Sequence, residues 1–185
     1  MEGKINILGF AGSLRQGSYN RALLRAAADM APANVSMTIF DLEGIPPFNQ
    51  DMEGAPPQKV LDFKAAIKSA DAILISSPEH NYSIPGVLKN AIDWASRPPG
   101  DSAWNDKPVA IMGASTGMLG TARAQYHLRQ VFVVLNVHTL NRPEVIVTFA
   151  AQKFDEKGNL TDQATADKVR ELLMALIDLA QRAKR

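Results

Sequence analysis

Strand-like and helix-like segments alternate along almost the whole chain, and this alternation restricts the possible folds more than any other feature of the sequence. The strand-like segments are residues 5–10, 35–40, 72–76, 109–113 and 139–147, the last of them interrupted around Arg142 and Pro143. The segments with helical periodicity are residues 20–30, 58–68, 85–96, 121–135 and 162–182. Short apolar strands that alternate with helices are typical of a parallel sheet with helices on both faces.

Five strands in this arrangement predict a flavodoxin-like, doubly wound α/β fold with a five-stranded parallel sheet in the order 2-1-3-4-5. The length of 185 residues suits a single domain over residues 1–185. Ligands of this architecture bind beyond the carboxyl ends of the strands. We therefore expect function in the loops after strands one, three and four. The long segment 41–57 also follows a strand, and the sequence leaves open whether it frames a pocket, meets a partner subunit or is a plain surface loop.

Composition excludes several classes of function. The sequence has no cysteine, so thiolate chemistry, disulfides and Cys-ligated clusters are ruled out, and its three histidines are too scattered to predict a metal site. A net charge of +1 without a basic stripe predicts no nucleic-acid partner. No apolar run reaches the length of a membrane span, and residues 1–5 lead into a strand pattern without a signal peptide. We expect a cytoplasmic protein with no membrane association.

The first loop, residues 9–20, offers donors for an anion directly before a helix. Its glycines allow a close approach of the backbone, and the following helix N-terminus supplies unpaired N–H groups. The side-chain donors are Ser13, Arg15, Ser18 and Asn20. The loop therefore suits a phosphate monoester. The alternative is that Ser18 or Asn20 only caps the helix and that Arg15 is solvated.

The second loop, residues 77–86, places polar and ring residues after a buried strand. Such a loop suits a flat heteroaromatic ligand, with backbone groups at the edge of the ring and His80 or Tyr82 against its face. The alternative is a rigid turn bracketed by prolines, in which Asn81 adopts a left-handed conformation. The loop by itself favours neither interpretation.

The third loop contains Gly113, Gly117 and Gly120, which would let the backbone lie against a ring system. It also fits the G-x-S-x-G pattern of a serine hydrolase, with Ser115 as nucleophile. That class requires an acid and then a histidine after the serine, whereas the first acid here is Glu144 and no histidine follows it. The hydrolase interpretation therefore fails in its usual order. Neither a P-loop nor a Rossmann fingerprint is present.

Taken together, the three loops resemble the NADPH-dependent FMN reductase family, most closely its chromate and quinone reductase branch. The matching segments are residues 12–20 (GSLRQGSYN), 77–98 (SPEHNYSIPGVLKNAIDWASRP) and 113–130 (GASTGMLGTARAQYHLRQ). The resemblance implies that FMN is bound. The positions that match the family's phosphate site are Ser13, Arg15, Ser18 and Asn20. The positions that match the loops on either side of the flavin ring are Pro78, Glu79, Asn81, Tyr82, Ser115, Thr116 and Gly117.

One residue of the second loop departs from the family pattern. The family usually reads P-E-Y-N where this sequence has Pro78-Glu79-His80-Asn81. An imidazole in place of a phenol is expected to change the ring contact with flavin or substrate. We therefore include His80 among the cofactor-binding residues and leave the substrate preference open.

The resemblance also implies the activity. NADPH or NADH would reduce the flavin, and an acceptor would then take two electrons in the same place, which is a ping-pong mechanism. The implied acceptors are quinones, free flavins, azo compounds and chromate. Because the flavin carries the chemistry, we predict no catalytic side chain. The alternative is a non-enzymatic electron carrier of the flavodoxin type, although the balanced charge argues against docking by one-sided charge.

The family further implies self-association. Its members form dimers and, in this branch, tetramers, and residues that match Arg123, Tyr126 and Glu144 lie between subunits. Arg123 and Tyr126 are three residues apart in a predicted helix and therefore share one face. An exposed, solvated face is the simpler interpretation of that pair alone.

Overall fold

The computed structural model describes residues 4–184 and contains a parallel sheet between two layers of helices. The strands are β1 (Ile5–Ala11), β2 (Val35–Ile39), β3 (Ala72–Ser76), β4 (Pro108–Ala114), β5 (His138–Thr139) and β6 (Val145–Val147). The helices are α1 (Tyr19–Asp29), α2 (Gln58–Ser69), α3 (Gly86–Ala95), α4 (Ala122–Val134) and α5 (Gln163–Ala183). The expectation about a signal peptide falls partly on residues 1–3, which lie outside the described residues.

The predicted strand order is confirmed, but the sheet has six strands instead of five. The order is β2-β1-β3-β4-β5, and β6 also pairs with β4. β5 pairs in parallel with the start of β4, at Pro108 and Val109, whereas β6 pairs with its end, from Met112 to Ala114. The fifth strand predicted over residues 139–147 is therefore two short strands on the same edge of β4, separated at the predicted interruption.

Two apolar cores lie on opposite faces of the sheet. On one face α1 and α5 bury Leu23, Leu24, Leu172 and Leu176 against the strands. On the other face α2, α3 and α4 surround a cluster that includes Trp104. Side chains of β1 alternate between these cores, because successive residues of a strand point to opposite faces. A sheet covered on both faces leaves only its edges and its loops for function.

The carboxyl ends of β1, β3 and β4 are followed by the N-termini of α1, α3 and α4, so three helix N-termini lie at one edge of the sheet. Ser18 caps α1, since its Oγ accepts hydrogen bonds from the backbone N–H groups of Asn20 (3.2 Å) and Arg21 (3.4 Å). Ser18 therefore caps α1, and a contact of Ser18 with a phosphate stays a prediction. Pro85 is the N-cap of α3 and not part of its first turn. Each helix N-terminus carries a partial positive charge.

The long segment 41–57 is held against α3. Trp94 Nε1 and Asn90 Nδ2 both donate to the carbonyl oxygen of Pro46 at 2.8 Å, and the N–H of Phe48 donates to Asn90 Oδ1 at 2.7 Å. The rings of Phe48 and Trp94 pack edge to face with centroids 5.0 Å apart. These contacts bind the segment to α3, and Asp41 at its start lines a pocket beside α1.

Candidate functional site

A cleft of about 500 Å³ opens where β1, β3 and β4 end. This volume lies in the range of small-molecule sites, roughly 300–1,000 Å³. The predicted residues that line it are Ser13, Arg15, Ser18, Asn20, Pro78, Glu79, His80, Ser115 and Thr116. The predicted residues Asn81, Tyr82 and Gly117 lie beside the cleft and do not line it. Residues from all three loops therefore meet at one site, as the strand order requires.

The loop between β1 and α1 presents free donors to the cleft. Arg15 is exposed, and neither its guanidinium nor the hydroxyl of Ser13 forms a hydrogen bond or ion pair with another residue in the range 4–184. The N–H groups of Gln16 and Gly17 also lack an acceptor within that range, whereas the N–H of Ser18 donates to Arg15 O at 3.2 Å. A guanidinium next to unpaired N–H groups at a helix N-terminus is an arrangement that binds anions.

Asn20 has a different local role from its neighbours in this loop. The residue is only 3% exposed. Its side-chain Nδ2 donates to Ala114 O at 2.8 Å, and its Oδ1 accepts from Ala114 N at 2.9 Å and from Ser76 Oγ at 3.2 Å. The amide therefore joins α1 to the ends of β3 and β4. Its Nδ2 donates one hydrogen bond within the described residues, so its second N–H has no acceptor there. A direct contact of Asn20 with a phosphate stays a prediction.

The carboxylate of Glu79 lies at the N-terminus of α4. Its Oε2 accepts from the N–H groups of Arg123 (3.0 Å) and Ala124 (3.1 Å), and its Oε1 is 3.3 Å from Arg123 Nη1. A carboxylate that accepts from the first N–H groups of a helix is stabilised by the helix dipole. Glu79 thus links the loop after β3 to the helix after β4, and this link fixes one wall of the cleft.

Two consecutive residues of the same loop, Asn81 and Tyr82, have positive φ values of 49° and 67°. The left-handed conformation predicted as the alternative for Asn81 is confirmed. The ring of Tyr82 lies 3.5 Å from the guanidinium carbon of Arg123, and its side chain is 66% exposed. Arg123 is therefore engaged within its own chain by Glu79 and Tyr82, and its expected role between subunits stays a prediction.

Two of the three glycines in the third loop have a packing role inside the protein, and the expected contact of this loop with a ring system stays a prediction. A Cβ at Gly113 would overlap Ser77 O and the hydroxyl of Thr121, and one at Gly120 would overlap the side chain of Ile146. These glycines are required by packing within the protein. A Cβ at Gly117 would meet only Ser115 Oγ, at an ordinary contact distance of 3.6 Å, and the N–H of Gly117 donates to the same oxygen at 3.1 Å.

The geometry around Ser115 does not support a hydrolase. Within residues 4–184, the only hydrogen bond of its Oγ comes from the backbone of Gly117. His127, the first histidine after it, places Nδ1 3.0 Å from Ser83 Oγ instead. A serine nucleophile requires a base within hydrogen-bond reach. In the same part of the chain, no group of three His, Asp or Glu residues could hold a metal ion.

Several lining residues were missed by the sequence reasoning. They are Leu14, Tyr19, Pro85, Gly86, Val87 and Ala114. Gly86 and Val87 form the first turn of α3, which has no side-chain cap. Their N–H groups have no acceptor within residues 4–184 and are available to the cleft. The sequence signal for a free N-terminus is Pro85 at the N-cap position, where Ser, Thr, Asp or Asn would supply a side-chain acceptor.

Comparisons with known proteins show which family the chain is similar to. The sequence profile of the NADPH-dependent FMN reductase family matches residues 5–152. An NAD(P)H-dependent FMN reductase of Pseudomonas aeruginosa is 50% identical over 178 residues, with 95% of each chain covered. An NAD(P)H:quinone oxidoreductase of Solanum tuberosum is 45% identical over 187 residues, covering 97% of this chain and 95% of that protein.

A solved structure gives the same result for the fold. FerB, a flavoenzyme NAD(P)H:(acceptor) oxidoreductase from Paracoccus denitrificans, superposes with a TM-score of 0.89 at 32% identity, and 96% of this chain and 98% of that chain are covered. Sequence profile, curated relatives and solved structure thus agree over most of the chain. The chain belongs to the NADPH-dependent FMN reductase family.

Proposed function

We propose that this protein is an FMN-dependent oxidoreductase that uses NADPH or NADH to reduce quinones. The observation that carries this proposal is the cleft at the carboxyl edge of the sheet, in which the free donors around Arg15 lie at one end and loops from β3 and β4 at the other. The names of the relatives from Pseudomonas aeruginosa and Solanum tuberosum support both the cofactor and the acceptor class.

The residues present fit FMN. Arg15, Ser13 and the N–H groups that precede α1 would bind the phosphate, because they are donors without partners elsewhere in the described chain. Pro78, His80, Ser115 and Thr116 would flank the ring from the two opposite loops. When bound, FMN supplies the two-electron chemistry, which protein side chains lack.

The protein contributes orientation and charge at the ring end. The N-terminus of α4 is already satisfied by the carboxylate of Glu79. The N-terminus of α3 has no side-chain cap, so the N–H groups of Gly86 and Val87 and the positive end of the dipole face the cleft. Preorganised donors of this kind stabilise negative charge without reorganisation. No side chain in the cleft is required to act as a catalytic acid or base.

Steady-state kinetics test the proposal. The purified protein, saturated with FMN, should oxidise NADPH or NADH with 1,4-benzoquinone as acceptor and without a separate reductase. Double-reciprocal plots at several quinone concentrations should be parallel, as a ping-pong mechanism requires. A flavodoxin-type electron carrier would show little turnover until a dedicated reductase is added, and that result would contradict the proposal.

The proposal includes association with a second copy through the outer face of α4. Tyr126 is exposed on this helix, and Val133 and Val134 near its end are 80% and 82% exposed. Apolar side chains this exposed often mark an interface. Sedimentation velocity should show a dimer or tetramer for the wild type and a monomer for the double variant Val133→Asp with Val134→Asp. A monomeric wild-type protein would refute the proposed association.

Two further points stay predictions from the sequence. Chromate, azo compounds and free flavins are expected as additional acceptors. The cytoplasm is the expected compartment. Every helix described between residues 4 and 184 is too short or too polar to span a bilayer.

A further inference from the structure

A groove continues from the cleft along the outer side of α1. A second pocket of about 300 Å³ lies between α1 and the end of β2 and shares Ser13 with the cleft. A third pocket of about 460 Å³ shares Arg25 and Ile39 with the second. We call the second and third pockets together the α1 groove. A ligand that occupies the cleft can therefore extend past Ser13 toward Arg25.

The α1 groove carries a free positive charge at its midpoint. Arg21 is neutralised there, because its Nη2 is 2.7 Å from Asp41 Oδ2. Burial raises the pKa of Asp41, but the N–H of Glu43 and the guanidinium of Arg21 together hold it below its usual value, so this carboxylate stays ionised. Arg25 is exposed and has no hydrogen bond or ion pair within residues 4–184.

Asp29 is the other carboxylate of the groove, and it lines only the far pocket. It forms no ion pair with Arg25, although the two residues are four apart on α1. Arg25 thus remains available to an anionic ligand. From the Ser18 cap to Arg25 the helix rises about 10 Å, which separates this cation from the phosphate-binding donors before α1.

Apart from its charged residues, the second pocket has an apolar wall. Leu24, Ile39 and Phe40 line it, and Ile39 is 44% exposed. The ring of Phe40 turns away from α1 and packs against Phe63 of α2 with centroids 5.1 Å apart, so the exposed apolar surface on the α1 side is that of Ile39. An apolar wall beside an unpaired guanidinium suits a heteroaromatic base that carries a phosphate.

We propose that the α1 groove binds the adenosine end of NADPH and that Arg25 recognises its 2′-phosphate. This inference rests on the proposed function, because a reduced nicotinamide nucleotide must enter the cleft. Guanidinium groups bind phosphate through paired, charge-assisted hydrogen bonds. NADH lacks the 2′-phosphate and gains nothing from Arg25, so the groove would confer a preference for NADPH.

A binding experiment tests the inference without turnover. The protein is first saturated with FMN, so that the phosphate loop is filled, and is then titrated calorimetrically with adenosine 2′,5′-bisphosphate and with adenosine 5′-monophosphate. The wild type should bind the bisphosphate roughly tenfold more tightly. Arg25→Ala should abolish this difference, Arg25→Lys should keep part of it, and Lys168→Ala, which removes an exposed charge from α5, should keep all of it.

Equal affinity of the wild type for the two nucleotides would overturn the inference, and so would a preference that survives in Arg25→Ala. Kinetics then separate this result from the proposed function. In Arg25→Ala the ratio of KM for NADPH to KM for NADH should rise roughly fivefold, with no change of this ratio in Lys168→Ala. If the wild type oxidised neither NADPH nor NADH, the proposed function would be refuted. The titration would still decide whether Arg25 recognises a 2′-phosphate.

Discussion

The side chain of Asn20 and the backbone of Ala114 form a pair of hydrogen bonds across the floor of the cleft, with Nδ2 donating to the carbonyl oxygen at 2.8 Å and the N–H donating to Oδ1 at 2.9 Å. The two residues are 94 positions apart in sequence. This pair connects the start of α1 to the end of β4. It therefore fixes the distance between the loop that would bind the phosphate and the loop that would flank the ring.

Replacing Asn20 should destabilise the fold. Asn20→Ala removes the two bonds to Ala114 and the one from Ser76 Oγ, all of them buried, and leaves the N–H and carbonyl of Ala114 and the hydroxyl of Ser76 without these partners. At about 1 kcal/mol for each bond, we expect a loss of about 3 kcal/mol in the free energy of unfolding, measured with urea. The control Asn141→Ala changes an exposed residue and should stay within about 0.5 kcal/mol of the wild type. If Asn20→Ala were as stable as the wild type, the role of Asn20 in joining α1 to β4 would be refuted.

Removing Arg15 should weaken FMN binding and leave the fold intact. Arg15→Ala deletes an exposed guanidinium that has no partner within residues 4–184, so thermal unfolding should not change. A lost charge-assisted contact with phosphate should lower the affinity for FMN roughly tenfold by fluorescence titration. Lys168→Ala serves as the charge-matched control. An unchanged affinity for FMN in Arg15→Ala would mean that the phosphate binds elsewhere.

Glu79 should contribute to both stability and cofactor retention. Glu79→Ala removes the acceptor for the N–H groups of Arg123 and Ala124, which resembles the loss of an N-cap, and we expect a cost of about 1–2 kcal/mol. Glu79→Gln keeps an acceptor but loses the charge and should fall between this variant and the wild type.

Glu156→Ala, which changes an exposed acid, is the control for Glu79. Denaturation with urea measures the stability of each variant, and the flavin released on gel filtration measures retention. Equal stability of Glu79→Ala and Glu156→Ala would show that the link between the loop after β3 and α4 has no energetic role.

The stability of the protein toward acid should depend on Asp101. Hydrogen bonds from Lys68 and Lys64 lower the pKa of Asp101 from 3.8 to about 2. A carboxyl group whose pKa is lowered on folding stabilises the native state while it is ionised, so its contribution is complete above the unfolded pKa and disappears as the pH falls through the folded one.

Asp101→Asn should therefore be less stable than the wild type at about pH 7, and the difference should shrink between about pH 4 and pH 2. The free energy of unfolding in urea at several pH values measures it. Lys64 is buried, and its Nζ lies 2.9 Å from Asp101 Oδ2. In Asp101→Asn this ammonium would lose its negatively charged partner. A stability difference that does not change with pH would contradict this account.

The fold could be predicted from the sequence because each element follows a local pattern. The apolar run at residues 72–76 coincides with β3, and the helix predicted at 58–68 differs from α2 by one residue. The division of segment 139–147 into two strands could not be predicted, because the pairing of both short strands with β4 depends on tertiary contacts and not on local alternation. Strand length is decided by the partner strand, which a single segment does not encode.

The site could be located from the sequence, but the role of each side chain could not. Three loops at the ends of parallel strands had to meet, and they do. Whether a donor faces a ligand or the protein depends on its distant neighbours, as Asn20 shows by its bonds to Ala114. The same holds for Gly113, whose close contact with Ser77 arises only when β3 and β4 pair.

The central claim is that the loop between β1 and α1 binds the phosphate of FMN while the loops after β3 and β4 hold its ring. Calorimetric titration of the cofactor-free protein with FMN and with riboflavin, which lacks the phosphate, tests this most directly. We predict one FMN per chain and at least about tenfold weaker binding of riboflavin. Equal affinities for the two flavins, or no binding of FMN, would contradict the account.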